Sequence, residues 1–186
     1  MTQTPFRILA LSGSLRRDSY NRRLIDHARD LAPDGVDVEV IPLGRIPPYN
    51  ADVEAQGLPA PVARLKDRID EADALLVATP EYNAGIPGVL KNAIDWASRP
   101  AFQSPLVGKP VGLVGATPGR GGARNALTQL RAVLESTRAE PLGEELSISG
   151  VHEKLRGDML DPAVQARLRA LLERLANAPA IVAEAS

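Results

Sequence analysis

Apolar positions along the chain fall into two alternating kinds of run. Ile8-Leu9-Ala10-Leu11, Ala74-Leu75-Leu76-Val77-Ala78-Thr79 and Val111-Gly112-Leu113-Val114-Gly115-Ala116 are nearly continuous. That is the pattern of strands covered on both faces. Val36-Asp37-Val38-Glu39-Val40-Ile41 alternates apolar with acidic and reads as a strand exposed on one face or lying at an edge. Between these runs apolar residues recur at helical spacing: Leu24, Ile25, Ala28 and Leu31; Val62, Leu65 and Ile69; Leu90, Ala93, Ile94 and Ala97; Val164, Leu168, Leu171, Leu172 and Leu175. The pattern predicts strands over 6–11, 36–41, 74–79, 111–116 and 141–148. It predicts helices over 19–31, 61–71, 88–98, 123–137 and 162–177. Residues 42–57 read as a long irregular segment. Strand and helix alternate throughout, which argues for an α/β fold with a parallel sheet and helices on both faces. Without a repeat or a linker-like break, the chain reads as one domain, with its core over 6–177 and a loose tail over 178–186.

In open sheets of this kind a ligand lies beyond the carboxyl ends of the strands. Three loops leave such ends, after the first, third and fourth strands, and they concentrate Gly, Ser, Asn, Tyr and Pro. The first, Leu11-Ser12-Gly13-Ser14-Leu15-Arg16-Arg17-Asp18-Ser19-Tyr20-Asn21, holds three hydroxyls, one amide and two arginines, with no acid before Asp18. A helix N-terminus after a strand presents unpaired N–H groups and a positive dipole end, a ready site for a phosphate. Hydroxyls and a guanidinium donate to phosphate oxygens, and Gly13 permits a sharp turn. The plainer reading is that Ser19 or Asp18 caps the helix while Ser14 fills an ordinary turn.

Composition narrows the chemistry. The chain has 186 residues, 22 basic and 23 acidic, with no cysteine. The absence of cysteine excludes disulfides, thiolate catalysis and cysteine-ligated metal centres, and it fits a reducing cytoplasm. Near-neutral charge argues against nucleic-acid binding. No apolar run reaches membrane-spanning length, and the N-terminus lacks a signal-peptide pattern. The dinucleotide fingerprint, the nucleotide-triphosphatase loop and the Gly-x-Ser-x-Gly elbow do not occur. His27 and His152 stand alone, and no cluster of acids and histidines suggests a metal site.

What remains is a phosphate grip beside a loop fit for a planar ring. Gly13-Ser14-Leu15-Arg16-Arg17-Asp18-Ser19-Tyr20-Asn21 resembles the Gly-Ser-x-Arg-x-x-Ser-x-Asn motif of the NADPH-dependent FMN reductase family, flavodoxin-like quinone and chromate reductases. Pro80-Glu81-Tyr82-Asn83-Ala84-Gly85-Ile86-Pro87-Gly88, continuing to Trp96, looks like its second signature. Gly121-Gly122-Ala123-Arg124 matches a third, and Pro48-Tyr49-Asn50 has the family look. The likeness covers roughly 8–134.

The resemblance implies a flavodoxin-like, five-stranded parallel sheet of order 2-1-3-4-5. It implies FMN as cofactor, with NADPH or NADH as co-substrate and a quinone, free flavin, azo dye or chromate as acceptor in a ping-pong cycle. It further implies a homodimer or dimer of dimers. Ser14, Arg16, Ser19 and Asn21, with Tyr20 beside them, would hold the FMN phosphate. Pro80, Glu81, Tyr82 and Asn83 would border the ring, approached from the other side by Thr117 and Gly119. No catalytic side chain is required, since flavin carries the redox chemistry. Thr117-Pro118 stands where the family usually has a serine. Asp95 and Trp96 read as packing or subunit contacts, Lys91 and Asn92 as helix docking, and Arg17, Arg22 and Arg23 as exposed. Arg120 and Arg124 read as surface or as contacts to an NADPH phosphate. The rival readings are a non-catalytic electron carrier and a flavin-binding regulatory module; near-neutral charge counts against the carrier, because flavodoxins are strongly acidic.

Overall fold

The computed structural model describes residues 4–178. Its central sheet is parallel, with β1 (Phe6–Ser12) in the middle, β2 (Val36–Ile41) on one side and β3 (Ala74–Thr79) on the other, followed by β4 (Pro110–Ala116). The last position is filled by two short pieces, β5 (Glu140–Pro141) and β6 (Leu146–Ile148), both paired with β4. The order is the expected 2-1-3-4-5.

The fifth strand is therefore not one run over 141–148. Leu142 still donates its N–H to Val111 (2.9 Å), but the chain then turns away through Gly143 and Glu144. Arg131 takes up the freed carbonyls, donating to Leu142 (2.7 Å) and Pro141 (3.3 Å) while pairing with Glu145 (2.7 Å).

The near-continuous apolar runs are covered on both faces because side chains alternate along a strand. Ile8, Ala10, Leu76, Ala78, Val114 and Ala116 join one core, under α1 (Tyr20–Asp30) and α7 (Pro162–Ala176). Leu9, Leu11, Leu75, Val77, Val111 and Leu113 join the other, under α3 (Ala60–Glu71), α4 (Gly88–Ala97) and α5 (Arg124–Ser136). Each fully buried Leu, Ile or Val contributes about 1.5–3 kcal/mol relative to exposure.

The alternating β2 lies at the sheet edge, as its pattern implies. One short helix interrupts the segment read as irregular, and a further short turn and hairpin lie between the fifth strand and α7. The helix α2 (Ala51–Gln56) starts at Asn50, whose Oδ1 accepts the Asp52 N–H (2.8 Å). The turn α6 (Val151–Lys154) leads into a hairpin of β7 (Leu155–Arg156) and β8 (Met159–Leu160). The tail expected to be loose, 178–186, lies outside the described residues from 179 onward.

Candidate functional site

The loops after β1, β3 and β4 gather at the carboxyl edge of the sheet. In the first, the serines shape the chain before any ligand is considered. Ser14 N–H donates to Ser12 Oγ (3.3 Å), and Arg16 N–H donates to Ser14 Oγ (3.4 Å). Ser19 is the N-cap of α1, its Oγ accepting from the Arg22 N–H (3.3 Å). The backbone N–H groups of Arg17, Asp18, Tyr20 and Asn21 have no partner among the described residues. The exposed Arg16 guanidinium makes no ion pair there either. Beside the loop, toward the end of β2, lies an open cavity of about 420 Å³ that Ser12, Ser14, Arg16 and Arg17 line. Tyr20 is half-buried and packs on the core under α1.

Gly13 lies at a tight approach between elements. A Cβ there would sit 3.0 Å from Thr79 Oγ1 and 3.2 Å from Leu90 Cδ2, so the close approach is to β3 and α4. Asn21 has a task in the fold. Its amide donates to the Ala116 carbonyl (3.0 Å) and accepts the Ala116 N–H (3.1 Å), with the residue 3% exposed. The bonds to Ala116 use the amide oxygen and one of its two N–H donors, so only the second N–H of the side chain remains for a phosphate. Asn21 ties the start of α1 to the end of β4.

The loop after β3 forms a tight hairpin. Tyr82 and Gly85 exchange N–H···O bonds (2.9 and 3.0 Å), and the central residues Asn83 and Ala84 have φ of 50° and 61°. Tyr82 is 48% exposed at its tip. The N–H groups of Asn83 and Ala84 have no partner among the described residues. Pro80 is half-buried, and its carbonyl accepts from the Thr79 hydroxyl (2.8 Å). The Glu81 carboxylate is held by α5. Its Oε2 accepts the N–H of Asn125 (3.0 Å) and Ala126 (3.3 Å), and its Oε1 accepts from Asn125 Nδ2 (3.0 Å). Such a carboxylate caps α5, leaving only the Glu81 backbone beside the hairpin. Gln129 holds the other arm by accepting the Ile86 N–H (2.7 Å). A Cβ on Gly85 would lie 2.7 Å from that same Gln129 oxygen, so a side chain there would push Gln129 off the Ile86 N–H.

In the loop after β4, Thr117 is pinned to the next strand connection: its N–H donates to Ile148 and its carbonyl accepts from Val151, both at 3.1 Å. Its hydroxyl donates to the Gly119 carbonyl (3.3 Å). The N–H groups of Gly119 and Arg120 have no partner among the described residues, so the available donors there lie two and three positions beyond Thr117. Arg120 and Arg124 are exposed, and His152 lies 3.8 Å from Glu153.

Beside these loops α4 organises the segment before α2. Asn92 accepts the Tyr49 N–H (2.7 Å) and donates to the Pro47 carbonyl (2.9 Å), which also accepts from Trp96 Nε1 (2.8 Å). The Tyr49 and Trp96 rings meet edge to face at 4.9 Å. Tyr49 donates to Glu54 (2.9 Å), and that bond to a carboxylate raises the phenol's pKa.

The β1–α1 loop thus assembles mostly donors: N–H groups with no partner among the described residues, serine hydroxyls and a guanidinium, against one exposed acid, Asp18. That set fits a phosphate monoester. The two other loops present N–H groups, likewise without a partner among the described residues, suited to the polar edge of a flat heterocycle. The residues fit FMN.

A family model for NADPH-dependent FMN reductase matches residues 6–153. A Pseudomonas aeruginosa protein named NAD(P)H-dependent FMN reductase is 43% identical over 91% of this chain and 92% of its own. A quinone reductase of Pseudomonas putida is 41% identical over 69% of each chain. Among solved structures, the flavoenzyme FerB, an NAD(P)H:(acceptor) oxidoreductase from Paracoccus denitrificans, superposes with a TM-score of 0.83 at 35% identity, covering 92% of this chain and 95% of that one.

Proposed function

Because the chain belongs to the NADPH-dependent FMN reductase family, we propose that this fold is an FMN-dependent NAD(P)H oxidoreductase that delivers electrons to a quinone. The observation that carries the reading is the donor-rich cup at the start of α1, beside two loops whose N–H groups have no partner among the described residues.

Bound FMN supplies the redox chemistry, accepting hydride from the nicotinamide and releasing electrons to the acceptor. This chain's residues bind and orient. Arg16, Ser14 and the N–H groups of Tyr20 and Asn21 hold the phosphate, while Ser19 fixes the helix start. Pro80, the Glu81 backbone, Tyr82 and Asn83 border the ring from the β3 side, and Gly119, with Thr117 shaping its loop, borders it from the β4 side. Fixed N–H donors at the ring's polar edge stabilise the negative charge that reduction brings, without reorganising when it arrives.

The nicotinamide donor and the acceptor use the same open site in turn, a ping-pong order. The reading takes residues 6–177 as one reductase domain, acting in the cytoplasm as a homodimer or dimer of dimers. Among the described residues no helix is long and apolar enough to cross a membrane.

The test is direct. The purified protein, incubated with FMN and desalted, is expected to be yellow. It should bleach with NADPH or NADH and consume the nicotinamide over many turnovers with benzoquinone, giving parallel double-reciprocal lines. A protein that stays colourless with excess FMN would sink the reading; one that bleaches without turnover would be a carrier.

A further inference from the structure

Two helix N-termini at the ligand edge of the sheet are treated in opposite ways. At α1 the N–H groups of Tyr20 and Asn21 have no partner among the described residues. At α5 the N-cap Ala123 is left-handed and has no side-chain acceptor of its own. Glu81 supplies one from the β3–α4 loop, accepting from Asn125 and Ala126 through Oε2 and from the Asn125 amide through Oε1. A carboxylate already sits at the positive end of α5, where it is stabilised by the helix dipole. The same helix grips the far arm of the hairpin through Gln129 and the Ile86 N–H. Between these two holds lie Asn83 and Ala84, whose positive φ values require the surrounding structure to keep them in place.

We propose that Glu81 is a positioning residue that fixes the ring-bordering hairpin against α5 and, through its charge, lowers the reduction potential of the FMN bound beside it. The proposal rests on the FMN reading above. A hydride carries two electrons and one proton, so the nicotinamide is oxidised and the receiving ring gains one unit of negative charge. A fixed carboxylate disfavours that gain directly. It also occupies a helix end whose positive field would otherwise favour it. The consequence is a bound flavin that gives up its electrons more readily to an acceptor.

The experiment compares holoprotein variants by equilibrium titration against a reference dye, with FMN affinity measured in parallel by fluorescence. Glu81→Gln keeps an oxygen to accept from α5 and removes the charge. It is expected to favour the reduced cofactor about tenfold relative to the oxidised one, an upward shift of about 30 mV for a two-electron couple. Glu81→Asp keeps the charge and is expected to stay near the wild-type potential. Gln129→Ala frees one arm of the hairpin without changing charge, so it should weaken FMN binding while leaving the potential in place. If Glu81→Gln does not accumulate as folded protein, Asn125→Lys sets a cation against the same carboxylate and should also move the potential upward. An unchanged or lowered potential in the charge-altering variant, with FMN still bound, overturns the proposal. Equal shifts in Glu81→Gln and Gln129→Ala overturn it too, because loosening of the hairpin would then be the cause. A wild-type protein that takes up no FMN takes down the underlying reading as well.

Discussion

Asn21 shows how far one side chain's role depends on a partner distant in sequence. Its residue type, two positions after a capping serine, suits a phosphate ligand. Its partner is instead the backbone of Ala116, 95 residues away, bonded in both directions and buried. Removing the amide leaves a buried N–H and a buried carbonyl unpaired, each costing about 1–3 kcal/mol. Asn21→Ala is therefore expected to destabilise the apoprotein by about 2–6 kcal/mol in urea unfolding, before any cofactor is added. An apoprotein as stable as wild type would show that the bonds to Ala116 contribute little to the fold. Ser14 and Ser19 lie between the two extremes: each uses its oxygen to shape the loop, and the hydroxyl hydrogen remains for a ligand.

At the scale of elements, β4 is the strand on which the site's geometry rests, and its glycines let helices come close on both sides. A Cβ on Gly112 would lie 2.8 Å from Leu175 Cδ1, the end of a flexible side chain of α7. A Cβ on Gly115 would lie 2.8 Å from Leu127 Cδ1 and 2.9 Å from Ala123 Cβ, and the latter cannot rotate away from its own backbone. Overpacking costs about 1–3 kcal/mol. Gly115→Ala is expected at the upper end of that range and Gly112→Ala at the lower, measured by thermal unfolding of the apoproteins. Because Ala123 is the N-cap of α5, Gly115→Ala should also disturb the Glu81 cap and weaken FMN binding; Gly112→Ala should not.

The same strands show what was legible in the sequence. Their apolar runs and the helices' spacing reflect burial with a short local period, so element positions could be read directly. The split of the fifth strand could not, because Arg131 and the turn at Gly143 decide it through tertiary contacts. The turn α6 and its hairpin are too short to carry a period. In the site, the donor character of 12–19 was visible because the donors are neighbours in sequence. The cap from Glu81 to Asn125 spans 44 residues and leaves no local trace. Asn92 and Trp96, one helical turn apart on α4, carried the only local hint of the shared hold on Pro47.

For the whole molecule, folding and cofactor binding are linked, and the linkage tests where the phosphate goes. The sheet brings three loop ends together on the neighbouring strands β1, β3 and β4, which lie far apart in sequence, so a ligand spanning them ties those strands to one another. A ligand that binds only the folded chain stabilises it by about 2.7 kcal/mol at one hundred times its Kd. In a chain of this length that corresponds to a rise in Tm of about 5–10 °C. FMN is expected to produce such a rise. Riboflavin keeps the ring and lacks the phosphate, so at equal concentration it should produce little of it. Arg16→Ala removes one charge-assisted phosphate contact worth about 1.5–3 kcal/mol, so it should shrink the FMN response and leave the weak riboflavin response unchanged. If riboflavin stabilises wild type as well as FMN does, the cup at the start of α1 is not the phosphate site. If Arg16→Ala instead lowers both responses equally, Arg16 acts on the ring or on the fold, not on the phosphate. The two ligands differ by one phosphate and the two proteins by one guanidinium, so the four melting temperatures isolate that contact as a double-mutant cycle would.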